Sequence, residues 1–567
     1  MTFPGGIIMK MGNRLLIVVL CLIMVLSIWA TGCSSGGKQA DVTQKNKTDK
    51  KEVQEKGNKV NDDGGIYPIV EEPLTLTIFA GLDAKVGATL SNYSEIACFK
   101  ELADITGIEL KWLHPPAGQD SEQFNLMISS MDLPDLIWWN WSSVAGGPIK
   151  MIEDGIIIPL NEHVDNYSTY FKALLEENDT VRKQTVLDDG TLHMFPMARL
   201  RRDRPEEWFK TNGWQIRKDW LDKVDLKIPT NMDEIYTVLK AFKNQDMNEN
   251  GDSDDEIPLV AQGDGDLHGL AGAFGLLQGF YNDGGTVKYG PIEPNYKEYL
   301  STLNKWYEEG LIDSEYAVTD ADSFKAKITN EIGGVFKGNL SGHMGYFLNL
   351  MEDENAKFDL SGMPWPEAAD GKAYTTQGDY NKIIPGSGTA ITTKNEYIEE
   401  SIKCLDFPYG EEGGLIFQFG IEGESYNMVD GYPTFTDIIL NNPDGYTIDQ
   451  SLSRYTMSTA NFSVIKDSRY FEQTTLSTPQ QQKSQEYWDP ADKSLLLPSI
   501  TLTSDESSRY SSVMSEINTY VEEMFTKFVM GKESFDNFDT FVNNIKKLKI
   551  EDAIQIQQDA VDRYDQR

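Results

Sequence analysis

The sequence predicts an α/β protein built as two lobes. Three observations carry this. Strand-period runs alternate with helix-period runs at the spacing of βαβ units, which give parallel sheets. The alternation starts twice, near Leu74 and again near Trp214, and the C-terminal part is mainly helical. The chain has 567 residues, of which 40% are hydrophobic and 11% aromatic, enough to bury more than one core.

The first series runs from a β-rich stretch, LTLTIFA, through a helix over Tyr93 to Thr106, the strand IELKWL and the helix SEQFNLMISSM to the strand LPDLIWW. The second opens with WQIRKDWL and continues with the helix MDEIYTVLKAFKN, the strand EIPLVA and the helix YKEYLSTLNKWYEEG. Thr230 or Asn231 supplies the capping oxygen of MDEIYTVLKAFKN, and Asp233 and Glu234 suit its positive N-terminus. GTAITT and a helix from Glu396 to Tyr409 read as a return to the first lobe. SSVMSEINTYVEEMFTKFVMG and FDTFVNNIKKL carry apolar stripes at i, i+3 and i+4, best read as core packing. The expected organisation is residues 66–198 with 384–415 as lobe 1, 212–376 as lobe 2, and 416–567 as a mainly helical region packing on both.

Ahead of the lobes stands an export signal. Lys10 and Arg14 precede an apolar run, Leu15 to Trp29, of 15 residues. A bilayer-spanning helix needs about 20, so the run reads as a cleaved segment. Ala30-Thr31-Gly32-Cys33 ends residues 1–33 and resembles a lipobox, with Ala30 in place of the usual Leu. Cys33 is then the acylated residue; the alternative is an ordinary secretory signal with an incidental Cys. Met9 or Met11 is an alternative start. Two lipid chains hold a protein stably on a membrane, which places the mature chain on the outer face of the cell membrane. Residues 34–65 contain only Val42, Val53 and Val60 as branched apolar residues, and read as a disordered tether. As a flexible coil it reaches on the order of 30 Å.

The net charge is −38, and loss of Lys10 and Arg14 with the signal makes it −38 − 2 = −40. Repulsion of that size argues against nucleic acid and anionic lipid as partners. Cys21 leaves with the signal, so Cys98 and Cys404 remain, both on apolar-periodic helices where a Cys packs as a small hydrophobe. A disulfide between them stays open at this point.

Six stretches in order resemble the extracellular solute-binding lipoproteins of ABC carbohydrate importers, in the Gram-positive subgroup related to alginate-binding proteins. They are FKELADITGIELKWLHPPAGQDSEQFNLMISSMDLPDLI, EDGIIIPLNEHVDNY, WQIRKDWLDKVDLKIPTNMDEIYTVLKAF, LNKWYEEGLIDSEY, GEEGGLIFQFGIEGESYNMVDG and LLLPSITLTSDESSRY. The resemblance covers nearly all of residues 70–566. It implies a periplasmic-binding-protein-like fold (type II), with crossover segments at Arg199 to Thr211 and Gln377 to Gly386, a ligand in the cleft and closure by hinge motion. It also implies that the partners are the permease subunits of a sugar importer, with the chain acting as a monomer.

The sharpest local signal is DMNENGDSDDEIP. Asp246, Asn248 and Asn250 stand at positions 1, 3 and 5, with Asp252 following the Gly251 turn and Asp254 at position 9, as in a calcium loop. Ile257 occupies position 12, so Asp255 or Glu256 has to close the site. The reading is a structural calcium; the alternative is a solvated acidic turn.

For a ligand, aromatic faces pack on sugar C–H edges while polar groups fix orientation. Trp138, Trp139 and Trp141 follow a strand whose C-terminal end is where open α/β sheets hold ligands. Phe280, Tyr281, Trp365, Tyr380 and Tyr426 are further candidates, each more often packing when taken alone. Arg199, Arg201, Arg202 and Arg204 cluster on the first crossover, and Arg forks match the carboxylates of uronic acids. Pairing with Asp203, Glu206 and Glu207 is the plainer reading of that cluster.

No GxxxxGK[ST], HExxH or GxSxG is present, and the five His show no ligand spacing. The expectation is a binding protein that captures an oligosaccharide, one containing uronic acid being a natural ligand. The rivals are a calcium-stabilised polysaccharide-degrading enzyme using two carboxylates, and a peptide or lipopeptide binder of the same fold.

Overall fold

The computed structural model describes residues 59–60, 66–200, 208–376 and 383–567, apart from Thr459 and Asn461. The expected export signal, Cys33 and nearly all of the expected tether lie outside these residues. The sequence first alternates polar and apolar residues at period two, which places successive side chains on opposite faces of a strand. In Ile108–Leu113 the residues Ile108, Leu110 and Trp112 are buried, while Glu109, Lys111 and Leu113 face solvent.

Lobe 1 is a six-stranded sheet made of β1 (Leu74–Phe79), β2 (Ile108–Leu113), β3 (Leu136–Asn140), β4 (Phe195–Leu200), β9 (Ile383–Ile391) and β10 (Ile465–Asp467), in the order β10-β4-β9-β3-β1-β2. All run parallel except β9, which is antiparallel to both β3 and β4 and changes register between Ile383 and Gly388. Lobe 2 is a four-stranded sheet of β5 (Asn212–Arg217), β6 (Ile257–Leu259), β7 (Gly333–Asn339) and β8 (Leu360–Met363), ordered β8-β5-β7-β6.

One face of the lobe 2 sheet is floored by glycine. A Cβ at Gly213 would lie 2.4 Å from the Trp488 ring, and one at Gly362 would lie 2.6 Å from Ser484. The helix Pro479–Trp488 therefore sits directly on the strands, with Trp488 Nε1 donating to Met363 O at 3.0 Å. Two hydrophobic cores result. One gathers the lobe 1 sheet with Phe407, Phe417, Met457, Phe462 and Val464. The other gathers lobe 2 with most of the C-terminal helices, among them Phe525, Phe528 and Phe541.

The chain passes between the sheets three times: from Leu200 at the end of β4 to Asn212 at the start of β5, from lobe 2 back to Ile383, and from Asp467 in β10 to the helix on the glycine floor. The sequence implies two crossings, at Arg199 to Thr211 and at Gln377 to Gly386. Ile383 to Gly386 belong to β9, and the third crossing leaves no periodic signal because β10 is a strand of only three residues.

The helix expected over Tyr93 to Thr106 is broken. A 3-10 turn, Tyr93–Glu95, ends at Ile96 in extended conformation, and the α-helix then runs Ala97–Thr106 to a left-handed Gly107 with φ of 78°. Asn231 is the N-cap of Met232–Lys243, its side chain accepting from Glu234 N, while Thr230 donates back to the Glu234 carboxylate. Cys98 and Cys404 are free and buried, and burial pushes the Cys404 thiol up to about 12. Among the described residues no helix is long and apolar enough to cross a membrane.

Candidate functional site

The C-terminal ends of the parallel strands in lobe 1 converge on one edge. There Tyr93, buried, accepts at its OH from Asp83 N at 2.8 Å and donates to Gly81 O at 3.0 Å, bracing the loop that follows β1. Tyr93 N donates to His114 Nε2 at 3.3 Å, so His114 carries its proton on Nδ1 and donates it to Ala80 O at 2.9 Å. Burial pulls the His114 pKa down, which keeps this tautomer neutral. The loops after β1 and β2 are thus fixed to each other.

On the adjacent β3, Trp138 and Trp139 point to opposite faces because the strand alternates. Trp138 meets Phe462 edge-on at 5.4 Å, and Trp139 stacks on Phe124 at 4.2 Å and 4°. Both are only partly buried, so each indole is supported from behind with some of its surface left to solvent. Asn140 beside them is exposed. On β4 and β10, Arg199 and half-buried Lys466 are register neighbours, and Lys466 Nζ donates to Ser458 O at 2.9 Å. Burial, with Arg199 close by, pulls the Lys466 ammonium down to about 7.

The other expected ligand residues that are described make packing contacts. Trp141 is wholly buried, with Nε1 donating to Gly388 O at 3.0 Å. Trp365 is 1% exposed within the lobe 2 core. Phe280 and Tyr281 lie in the hairpin of Phe280–Asp283 with Thr286–Tyr289, where Phe280 packs on Tyr289 and Tyr510 and Tyr281 is buried. Tyr426 packs on Phe419 at the foot of another hairpin. The enclosure of Trp141 comes from a strand far along the chain, whereas Phe280 and Tyr426 also meet near neighbours, Tyr289 and Phe419. Arg201, Arg202 and Tyr380 lie outside the described residues. Tyr426 also borders a groove of about 580 Å³ lined by Glu101, Glu411, Glu412 and Glu422, whose charge suits no carboxylate ligand.

The acidic loop closes on itself. Asp246 accepts from Asn250 N and Gly251 N, Asn248 from Asn250 N, Asn250 from Asp252 N and Asp252 from Asp254 N. Asn250 Nδ2 donates to Asp255 at 2.6 Å, and buried Glu256 accepts from Met247 N. Two oxygens, Asp255 Oδ1 and Glu256 Oε2, are buried with no hydrogen-bond partner. Among the described residues no three His, Cys, Asp or Glu side chains gather at metal-binding distance. The orphaned carboxylate oxygens and the all-oxygen donor set nevertheless fit a hard cation in chemistry.

The residues that sequence reasoning did not single out are His114, Tyr93 and Lys466. None sits in a motif; Tyr93 and His114 are placed by the loops after β1 and β2, and Lys466 by its pairing with β4.

No protein-family model matches the chain. It is 25% identical over 494 residues to the fructooligosaccharide ABC transporter substrate-binding protein FusA of Streptococcus pneumoniae, spanning 83% of this chain and 87% of that protein. It is 25% identical over 458 residues to lipoprotein LipO of Bacillus subtilis, spanning 79% of this chain and 85% of that one. Among solved structures, alginate-binding protein AlgQ2, solved without calcium ion, is 26% identical with a TM-score of 0.68, covering 87% of this chain and 99% of that chain. FusA has also been solved as an EF-hand mutant with fructo-nystose; at 21% identity and a TM-score of 0.66, covering 87% of this chain and 99% of that chain, it shows the shared fold. By fold, and by sequence along most of its length, the chain is a relative of the substrate-binding proteins of ABC transporters.

Proposed function

We propose that the chain captures an oligosaccharide between its lobes outside the cell and delivers it unaltered to the permease of an ABC importer. The observation that carries this is the likeness to FusA and AlgQ2 across more than four fifths of the chain. The backed indoles of Trp138 and Trp139 at the strand ends support it, since stacking faces with a polar rim are what a sugar ring needs. Arg199 at the same sheet edge favours a uronic-acid-containing ligand, and Arg201 and Arg202 follow it after Leu200 in sequence. Cys33 carries the lipid anchor in this reading, holding the trap beside its transporter and raising its effective concentration there.

Asp246, Asn248, Asn250, Asp252, Asp254, Asp255 and Glu256 are the residues that hold calcium in this reading. Bound calcium supplies positive charge to a loop rich in carboxylate and pins it against lobe 2; it takes no part in chemistry. Chelation is expected to lower the melting temperature and added calcium to restore it. An unchanged melting temperature, with no metal copurifying, makes the loop a solvated acidic turn.

A thermal-shift screen against oligosaccharides and peptides tests the function, because a ligand that binds only the folded state raises its apparent stability. A shift with oligosaccharides alone is expected. A shift with peptides alone contradicts it.

A further inference from the structure

We infer that Asp188, gripped by Arg563 and Arg567, is a fixed pivot that ties lobe 1 to the C-terminal helices and about which the lobes turn.

Asp188 follows the lobe 1 helix Asp179–Thr185. Arg563 lies on the helix Ile550–Gln566, which is bound to lobe 2 through Gln558: its Oε1 accepts from Val287 N at 2.8 Å and its Nε2 donates to Gly285 O at 3.2 Å. Across this junction Arg563 Nε donates to Asp188 Oδ2, and its two terminal nitrogens donate to Glu506 at 2.9 and 2.7 Å. Arg567 donates to Asp188 Oδ1 from Nε at 2.9 Å and from Nη2, and reaches Lys183 O and Val186 O at 2.6 and 2.9 Å. Its Nη2 also meets Thr501 Oγ1 at 3.1 Å. Both oxygens of the Asp188 carboxylate are therefore engaged by a guanidinium.

The centre of the cluster is shielded: the side chains of Arg567 and Asp188 are 3% and 9% exposed and that of Glu506 15%, while that of Arg563 is 28% exposed. Separating such charges leaves each desolvated without a partner, a far larger cost than an exposed pair would incur. A domain rotation that keeps these bonds avoids that cost, and hinge motion needs only a few backbone torsions to change. Thr501, which accepts from both guanidinium groups, lines a small cavity with Gln184, Leu187 and His193 of lobe 1 and Gly386 of β9, and Gln184 accepts from Ile383 N where β9 begins. The pivot thus stands beside a covalent crossing, where rotation displaces atoms least. The inference rests on the two-lobed architecture and not on the identity of the ligand.

The test places spin labels at exposed Glu162 in lobe 1 and exposed Val318 in lobe 2 of the full chain, with Cys21 and Cys33 changed to Ser; Cys98 and Cys404 are buried. The interlobe distance distribution of the ligand-free protein is measured by pulsed electron resonance. Asp188→Asn is expected to broaden the distribution about a similar mean while lobe 2 keeps its circular dichroism. Arg567→Lys, which keeps the charge and loses the fork, is expected to broaden it less and serves as the readout if Asp188→Asn does not fold. Unchanged distributions in the folded variants overturn the inference. So does a clean shift to one longer distance at unchanged width, which marks a clasp that opens and not a pivot.

Discussion

At the residue scale, three tryptophans within four positions do different things. Trp139 rests on Phe124 and keeps part of its surface open, whereas Trp141 is enclosed and hydrogen-bonded to Gly388 O. Trp139→Ala is expected to weaken oligosaccharide binding about tenfold or more in a calorimetric titration, with little change in melting temperature. Trp141→Ala is expected to cost about 3 to 5 kcal/mol of stability in a denaturant titration. Position along the strand does not separate the two, since both follow the same apolar run; the enclosure of Trp141 comes from β9, some 247 residues away in sequence. His193 is a second case. It is buried with neither ring nitrogen partnered, and burial pulls its pKa down to about 3. Between that value and an unfolded pKa near 6.5 the unfolded chain binds more protons, so stability falls as pH falls through this window. His268, pulled down to about 4, adds a loss of the same sign. His193→Leu is expected to recover roughly 2 kcal/mol of the difference in unfolding free energy between pH 7 and pH 5. Equal pH dependence in both proteins contradicts this reading of His193.

At the scale of elements, caps supplied from a distance matter as much as local ones. Asp406, at the end of Ile398–Asp406, accepts from Ser168 Oγ at 2.6 Å and from Thr169 N, Tyr170 N and Phe171 N at 2.8, 3.1 and 2.8 Å. It thereby caps the helix Tyr170–Glu177 from another part of lobe 1. Asp406→Ala leaves these buried donors without an acceptor and is expected to cost about 3 kcal/mol, read from urea unfolding. Nothing in the sequence around Ser168 announces such a cap. The elements whose periodicity is strong are legible in the sequence: β1, β2 and the helix Met232–Lys243 fall within the runs expected for them, and β3 overlaps its run and extends one residue beyond it to Asn140. WQIRKDWL, by contrast, holds two elements, a strand ending at Arg217 and a helix starting at Lys218, because one apolar spacing serves both. The glycine floor under Trp488 was equally illegible, since the need for Gly213 and Gly362 comes from a helix more than a hundred residues later.

At the scale of the whole molecule, the two sheets are linked by three passages of the chain, the two cores also by the stretch from Phe419 to Leu452, and both lobes by the charge cluster at Asp188, in a chain of net charge −38. This arrangement suits a trap that closes and reopens around a ligand without altering it. The two α/β lobes and the placing of a site at the lobe 1 strand ends follow from periodicity and from the rule that open sheets hold ligands there. Which aromatics line that site does not follow from sequence, because burial is decided by partners far along the chain. The most direct test is a calorimetric titration of the purified protein with uronate and neutral oligosaccharides, followed by mass spectrometry of the recovered sugar. Saturable binding to an oligosaccharide that is released at its original mass is the predicted result. Shortened or otherwise altered sugar in the recovered fraction would contradict the account.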